Sequence, residues 1–220
     1  MRIFLTRPID IIHCFHNAFR RDISQIDNAV FSVVQNGGDL VPLFARLQIM
    51  SEVLDNHARG EEAAVFPAVD NLTPFVTGNY SLDHRYLDDM VNGLEAIRKT
   101  PNPLTVARAT AVLKSHLTIH LEKEDAFLYP SIRERTTDEE QTSIVNIMSS
   151  KVPPERFPTV IQWLFPLLDI EDQVLITKHW MSLMPQRVFT TVKPLIRKNT
   201  GENWAKVTQQ IPELLNNESV

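Results

Sequence analysis

Two short stretches place a histidine four residues before a glutamate: His57-Ala-Arg-Gly-Glu61 and His120-Leu-Glu-Lys-Glu124. On a helix, positions four apart share a face. The second pair falls on the apolar stripe Leu113, Leu117, His120, Glu124, Phe127. The first falls on Leu43, Leu47, Met50, Leu54, His57, Glu61, Ala64. Both stripes should face a core, where an unpaired carboxylate is very costly. No Lys or Arg occupies these seams, so a bound cation is the natural neutraliser. Imidazole with carboxylate suits non-haem iron, and manganese or zinc is chemically admissible. Each pair is followed by an aromatic–proline step, Phe66-Pro67 and Tyr129-Pro130, which makes the arrangement an internal repeat.

The elements that must position these groups read as helices. The first spans about Pro8 to Gln35, with the seam Ile9, Ile12, His16, Phe19, Ile23, Ile26, Val30, Val33 and a stop at Asn36-Gly37-Gly38. The second spans about Asp39 to Val65. Gly60 inside it costs roughly 1 kcal/mol relative to Ala and would let another group approach. A loop follows over Asp70 to Asn79. The third helix runs from Ser81, as N-cap, to Lys99, with His84, Leu87, Val91 and Leu94 inward. Thr100-Pro101-Asn102-Pro103 breaks the chain, and a fourth helix runs from Leu104 to Arg135. Each long helix thus carries one inward histidine: His16, His57, His84 and His120. Two divalent ions bridged by the two carboxylates would supply the missing positive charge.

The chain has 220 residues, 43% of them hydrophobic and 22% charged, which is ordinary for a globular protein. Gly is scarce, at 6 residues, and alternation of the strand type is hard to find. The fold class is therefore all-α. Four long helices with short connections make an up-down-up-down bundle over residues 1–135. Shorter helices over Thr136–Ser149, Pro154–Leu168, Ile170–Met184, Arg187–Asn199 and Glu202–Leu215 form a C-terminal extension, residues 136–220, that packs on the bundle or makes a homodimer contact. A net charge of −5 argues against a nucleic-acid partner. No apolar run is long enough to span a bilayer, and the opening Met1-Arg2-Ile3-Phe4-Leu5 is too short for a secretory signal. The single Cys14 cannot form an internal disulfide. These features fit a cytoplasmic protein with no membrane partner.

The ordered set His16, His57-x-x-x-Glu61, His84, His120-x-x-x-Glu124 resembles the haemerythrin-like (HHE cation-binding) family over about residues 8–135. The resemblance implies a four-helix bundle holding two iron ions with an oxo or hydroxo bridge. His16, His57, His84 and His120 would be terminal nitrogen ligands, and Glu61 and Glu124 would bridge the metals. Two positions depart from the respiratory members. Asp88 stands where they carry a second third-helix histidine, and Asp125 holds their last-helix aspartate spacing, although Glu124 lies closer to the seam. His116 and His13 flank the ligand positions and are alternatives to them. Arg20, Asp83, Asp88 and Tyr129 are candidates for holding the ligands from behind; Cys14 and His179 are read as structural.

The extension is faintly similar to the segment after the bundle in plant iron-regulating ubiquitin ligases with haemerythrin domains, through Asp138-Glu139-Glu140-Gln141, Val152-Pro153-Pro154 and Gln162-Trp163-Leu164. No Cys/His-rich zinc module accompanies it, so ligase activity is not implied. Two functions are compatible with these residues. One is a di-iron protein that binds O2, peroxide or NO, or senses iron and oxygen. The other is a di-iron enzyme: an oxidase, a peroxide-decomposing enzyme, or a donor in iron–sulfur or nitrosative-damage repair. A purely helical interaction module is the non-metal alternative.

Overall fold

The computed structural model describes residues 6–215, so the Met1–Leu5 opening lies outside the described residues. Every regular element among them is helical. After a single 3-10 turn at Pro8–Asp10, helix α1 spans Ile11–Asn36 and stops at Gly37, whose φ of 76° suits a residue without Cβ. Helix α2 spans Val41–Gly60, and Pro42 sits in its first turn. It widens into a π-helical turn at Glu61–Val65 and continues as α3, Phe66–Leu72. Helix α4 spans Gly78–Ile97. Helix α5, Pro103–Lys123, starts at Asn102, whose side chain accepts from the Thr105 amide. It widens at Glu124–Leu128 and continues as α6, Tyr129–Arg135.

The two widened turns correct the reading of uninterrupted helices. Phe66 N–H donates to Glu61 C=O and Tyr129 N–H to Glu124 C=O, five residues back instead of four. Pro67 and Pro130 come immediately after. Proline has no N–H, and its ring crowds the carbonyl four residues back. One extra residue in the turn absorbs that conflict. The phase shift also moves the stripe. Phe127, expected inward, is 41% exposed, while Leu128 and Tyr129 are buried.

Other boundaries shift for local reasons. The loop expected over residues 70–79 is shorter, because α3 reaches Leu72 and α4 begins at Gly78. Ser81 is not the N-cap. Asp70 takes that organising role, accepting from the Val76 and Thr77 amides and the Thr77 hydroxyl. Val91 is half-buried rather than part of the core proper.

Helices α1 and α2, α2 and α4, α4 and α5, and α5 and α1 pack as neighbours, closing a ring of four around one core. Phe19, Ile23, Met50, Leu94, Leu113 and Leu117 fill it. The later helices are α7 (Asp138–Ser149), α8 (Phe157–Leu164), α9 (Ile170–Leu183), α10 (Gln186–Thr200) and α11 (Trp204–Gln210). A reciprocal Thr137–Glu140 box starts α7, and Asp169 caps α9. The stretches read as single helices over 154–168 and 202–215 are instead broken by 3-10 turns, at Phe165–Leu167 and at Gly201–Asn203 and Pro212–Leu215. No helix among the described residues is long and apolar enough to cross a membrane.

The later helices are tied to the ring by specific bonds. Trp163 Nε1–H donates to the fully buried Asp22 carboxylate at 2.6 Å, and Arg46 pairs with the same group. Arg21 donates to Leu167 C=O at 2.6 Å, and His179 Nε2 to Arg7 C=O at 2.8 Å. Cys14 lies buried against the Asp172 carbonyl.

Gly60 has a packing reason. A Cβ there would lie 3.0 Å from the Met148 Cα and Cβ on α7. Ala would gain roughly 1 kcal/mol of helix propensity, but overpacking typically costs about 1–3 kcal/mol. The clash is with backbone, so trimming Met148 cannot relieve it. We expect Gly60→Ala to lower the melting temperature, read by thermal denaturation; an equal or higher value would mean that α7 does not seat against α2.

Candidate metal centre

The structure brings together all six residues singled out in the sequence. His16 and His84 project from near the starts of α1 and α4. His57 and His120 come from the last turns of α2 and α5, and Glu61 and Glu124 open the two π-helical turns. Glu61, Glu124 and His16 are fully buried, and His57, His84 and His120 are at most 8% exposed. Their ligating atoms fall into two sets, one of His16, His57, Glu61 and Glu124 and the other of Glu61, His84, His120 and Glu124. Within each set these atoms lie within 4.8 Å of one another.

Each glutamate divides its oxygens between the sets. Glu61 Oε1 lies 3.2 Å from His57 Nε2, and Oε2 lies 3.3 Å from His84 Nε2. Glu124 Oε2 lies 3.6 Å from His16 Nε2, and Oε1 lies 3.2 Å from His120 Nε2. Each set therefore offers two imidazole nitrogens and two carboxylate oxygens. Glu61 Oε2, His84 Nε2 and both Glu124 oxygens have no hydrogen-bond partner and no exposure to water. Buried polar atoms are normally satisfied. Three of these orphans lie in the His84 and His120 set and Glu124 Oε2 lies in the other, an arrangement that fits cations held within the sets.

Outer contacts fix three of the four imidazoles. Asp125 accepts from His16 Nδ1 at 2.7 Å and is itself gripped by Arg20. Glu62 lies 3.0 Å from His84 Nδ1, and Asp83, paired with Lys123, lies 3.4 Å from His120 Nδ1. Such contacts turn the opposite nitrogen, Nε2, toward the centre. Asp125 thus braces the outer side of His16, while Glu124 faces the cluster. Tyr129 donates its hydroxyl to Glu61 Oε1. His116 and Asp88 are exposed and lie outside the cluster, and His13 pairs with Asn17 instead. Sequence reasoning missed Glu62. Its neighbour Glu61 claims the core face, so Glu62 reads as a solvent carboxylate, and only the fold brings His84 to it.

Burial and charge set the protonation of the cation-free cluster. Burial pushes Glu124 well above the ordinary carboxylate range, and the nearby Glu61 charge adds to it. Burial also opposes ionisation of Glu61, but His57 and His84 outweigh it and hold that carboxyl well below its usual value. Burial depresses His120 to about 4, keeping it neutral. Burial likewise lowers His16, against the pull of Asp125. Asp125 resists its own burial because His16 and Arg20 hold it at about 2. Burial opposes a proton on His84 too, but Glu61 and Glu62 outweigh it and raise that imidazole, so a cation must displace protons from His84 and Glu124 to take both as ligands. We expect Asp125→Ala to weaken divalent-metal binding by about 10–100-fold, through loss of His16 orientation. Competition against a chromophoric chelator measures this, and unchanged affinity would show that the outer carboxylate does not position the ring.

Three proteins of Arabidopsis thaliana are similar to this chain. Two zinc finger proteins named BRUTUS-like are 25% identical over 82% of the chain and 24% identical over 74%. Zinc finger protein BRUTUS is 24% identical over 75%. The chain spans only 15%, 14% and 14% of the length of these relatives. No family model and no solved structure matches it. The resemblance to haemerythrin-like proteins stands, and the BRUTUS proteins of Arabidopsis thaliana are relatives of this chain.

Proposed function

We propose that the cluster holds two iron ions bridged by the carboxylates of Glu61 and Glu124, and that the protein binds O2 or a related small ligand or senses iron and oxygen. The observation that carries this reading is the division of both buried carboxylates between two histidine pairs, with four orphaned ligating atoms between them. A bound iron pair supplies reversible redox chemistry and open coordination positions for a small ligand. The protein's own residues do the rest. Glu61 and Glu124 neutralise the cations, the four imidazoles complete the two sets, and the surrounding core excludes water.

The up-down-up-down arrangement belongs to the same reading. His16 and His84 lie near helix starts and His57 and His120 at helix ends, yet they meet at one level. Alternating helix directions support such a meeting. Residues 1–135 would form the haemerythrin-like bundle and 136–220 its helical extension. The relatives support iron only through the family resemblance, since the matched part is a small fraction of each. A di-iron enzyme is the second reading, favoured by a cavity that borders His57 and is walled by the later helices.

Metal analysis with an optical spectrum of the aerobically purified chain tests the proposal. We expect two irons per chain and near-ultraviolet charge-transfer bands that respond to O2, peroxide or NO. Glu61→Ala or Glu124→Ala should lose both ions, because each glutamate serves both sets; His120→Ala should spare one. The metal-loaded chain should also melt well above the chelated one, since binding energy adds to folding energy. Purified protein without bound metal, and the same melting temperature in chelator, would overturn the reading.

A further inference from the structure

We propose that the cavity between the ring of four helices and the later helices is a docking site for a small uncharged diatomic gas molecule, held beside His57 on its way to the cluster. The cavity has a volume of about 60 Å³. Ile12 and Phe15 of α1 and His57 of α2 form one side; Val145 of α7, Val160 of α8 and Trp180 of α9 form the other. Its walls are mostly apolar. The polar lining residues besides His57 are Asn56, one amide N–H of which donates to Glu52 C=O, and the exposed Ser149. Water needs two or more polar partners to be held in such a space, so the predominantly apolar wall favours an apolar guest. This one is too small for an aromatic ring, which fills a cavity of about 150 Å³, but accommodates two or three heavy atoms. A charged guest would lose its hydration with nothing in return.

A second observation gives the cavity a direction. Carboxylates back His16, His84 and His120, at Asp125, Glu62 and Asp83. His57 is flanked instead by Phe15, stacked at 6.2 Å, and by Phe19 at 5.5 Å. The cluster therefore has carboxylates behind three histidines and aromatic rings beside the fourth, and the cavity borders that fourth, His57. The later helices supply half of its wall, which gives the extension a part in ligand access. The gas-delivery half of this inference rests on the metal reading above; the docking half does not.

Xenon separates the two. In the metal-free full-length chain, xenon should bind at one saturable site and shift the methyl resonances of Ile12, Val145 and Val160. Val160→Phe should weaken xenon binding by about tenfold or more, and Val160→Ala should retain or strengthen it. Val145→Phe, on a different helix, repeats the test should Val160→Phe fail to fold. In iron-loaded protein the filled variant should keep its optical spectrum but react about tenfold more slowly with both O2 and NO. No xenon effect on these methyls overturns the docking site, whatever the metal content. Unchanged rates with both gases, or slowing with only one, overturn the delivery role. Xenon binding in a chain that takes up no iron supports the cavity and refutes the metal reading alone.

Discussion

Two carboxylates and four imidazoles share a space from which water is excluded, and this is the constraint that the rest of the molecule serves. Glu61 and Glu124 are fully buried, and three of their four oxygens find no donor. An apolar core does not tolerate such groups uncompensated. The protein holds them anyway, within the same core as Phe19, Leu113, Leu117 and Leu121 and with three of the imidazoles braced from outside.

The device that places the carboxylates is the π-helical turn. In both copies the glutamate begins the turn, an aromatic residue closes it five positions later, and proline comes next. The repeat is not symmetrical in chemistry. The second aromatic, Tyr129, donates to Glu61. The first, Phe66, has no hydroxyl and stacks on His84 at 5.2 Å instead. Both glutamates lie near imidazoles, but at Glu61 the pull of His57 and His84 outweighs burial, whereas at Glu124 burial is reinforced by the charges of Glu61 and Asp125.

Much of this was legible in the chain because the pattern is periodic. A histidine or glutamate on an apolar seam breaks the pattern visibly, so His16, His57, Glu61, His84, His120 and Glu124 stand out from the sequence alone. The widened turns were not legible as such. Phe66-Pro67 and Tyr129-Pro130 were visible as an echo, but their effect depends on how proline at a given place in the helix trades hydrogen bonds, and Phe127 was assigned to the wrong face as a result. Glu62 escaped for a different reason. Its partner His84 is 22 residues away, and local spacing says nothing about which solvent-facing carboxylate a fold will bring to a ring nitrogen. Asp125 was readable only as a rival of Glu124, since its role depends on the closeness of Arg20 and His16.

The later helices show why composition alone said least about residues 136–215. Their bulky residues would suit a dimer interface as well as an intramolecular one. What distinguishes the two is polar detail: Trp163 donating into buried Asp22, Arg21 reaching Leu167, and Gly60 lacking the atom that would push Met148 away. A buried carboxylate such as Asp22 requires donors for both oxygens; Arg46 of α2 serves one and α8 brings the other. The same docking forms a partly open cavity bordering His57, the one histidine of the cluster flanked by aromatic rings with no carboxylate behind it among the described residues. Seating these helices thus does two things with one set of contacts. It completes the pairing of a carboxylate that the ring of four satisfies only in part, and it walls the cavity that borders His57.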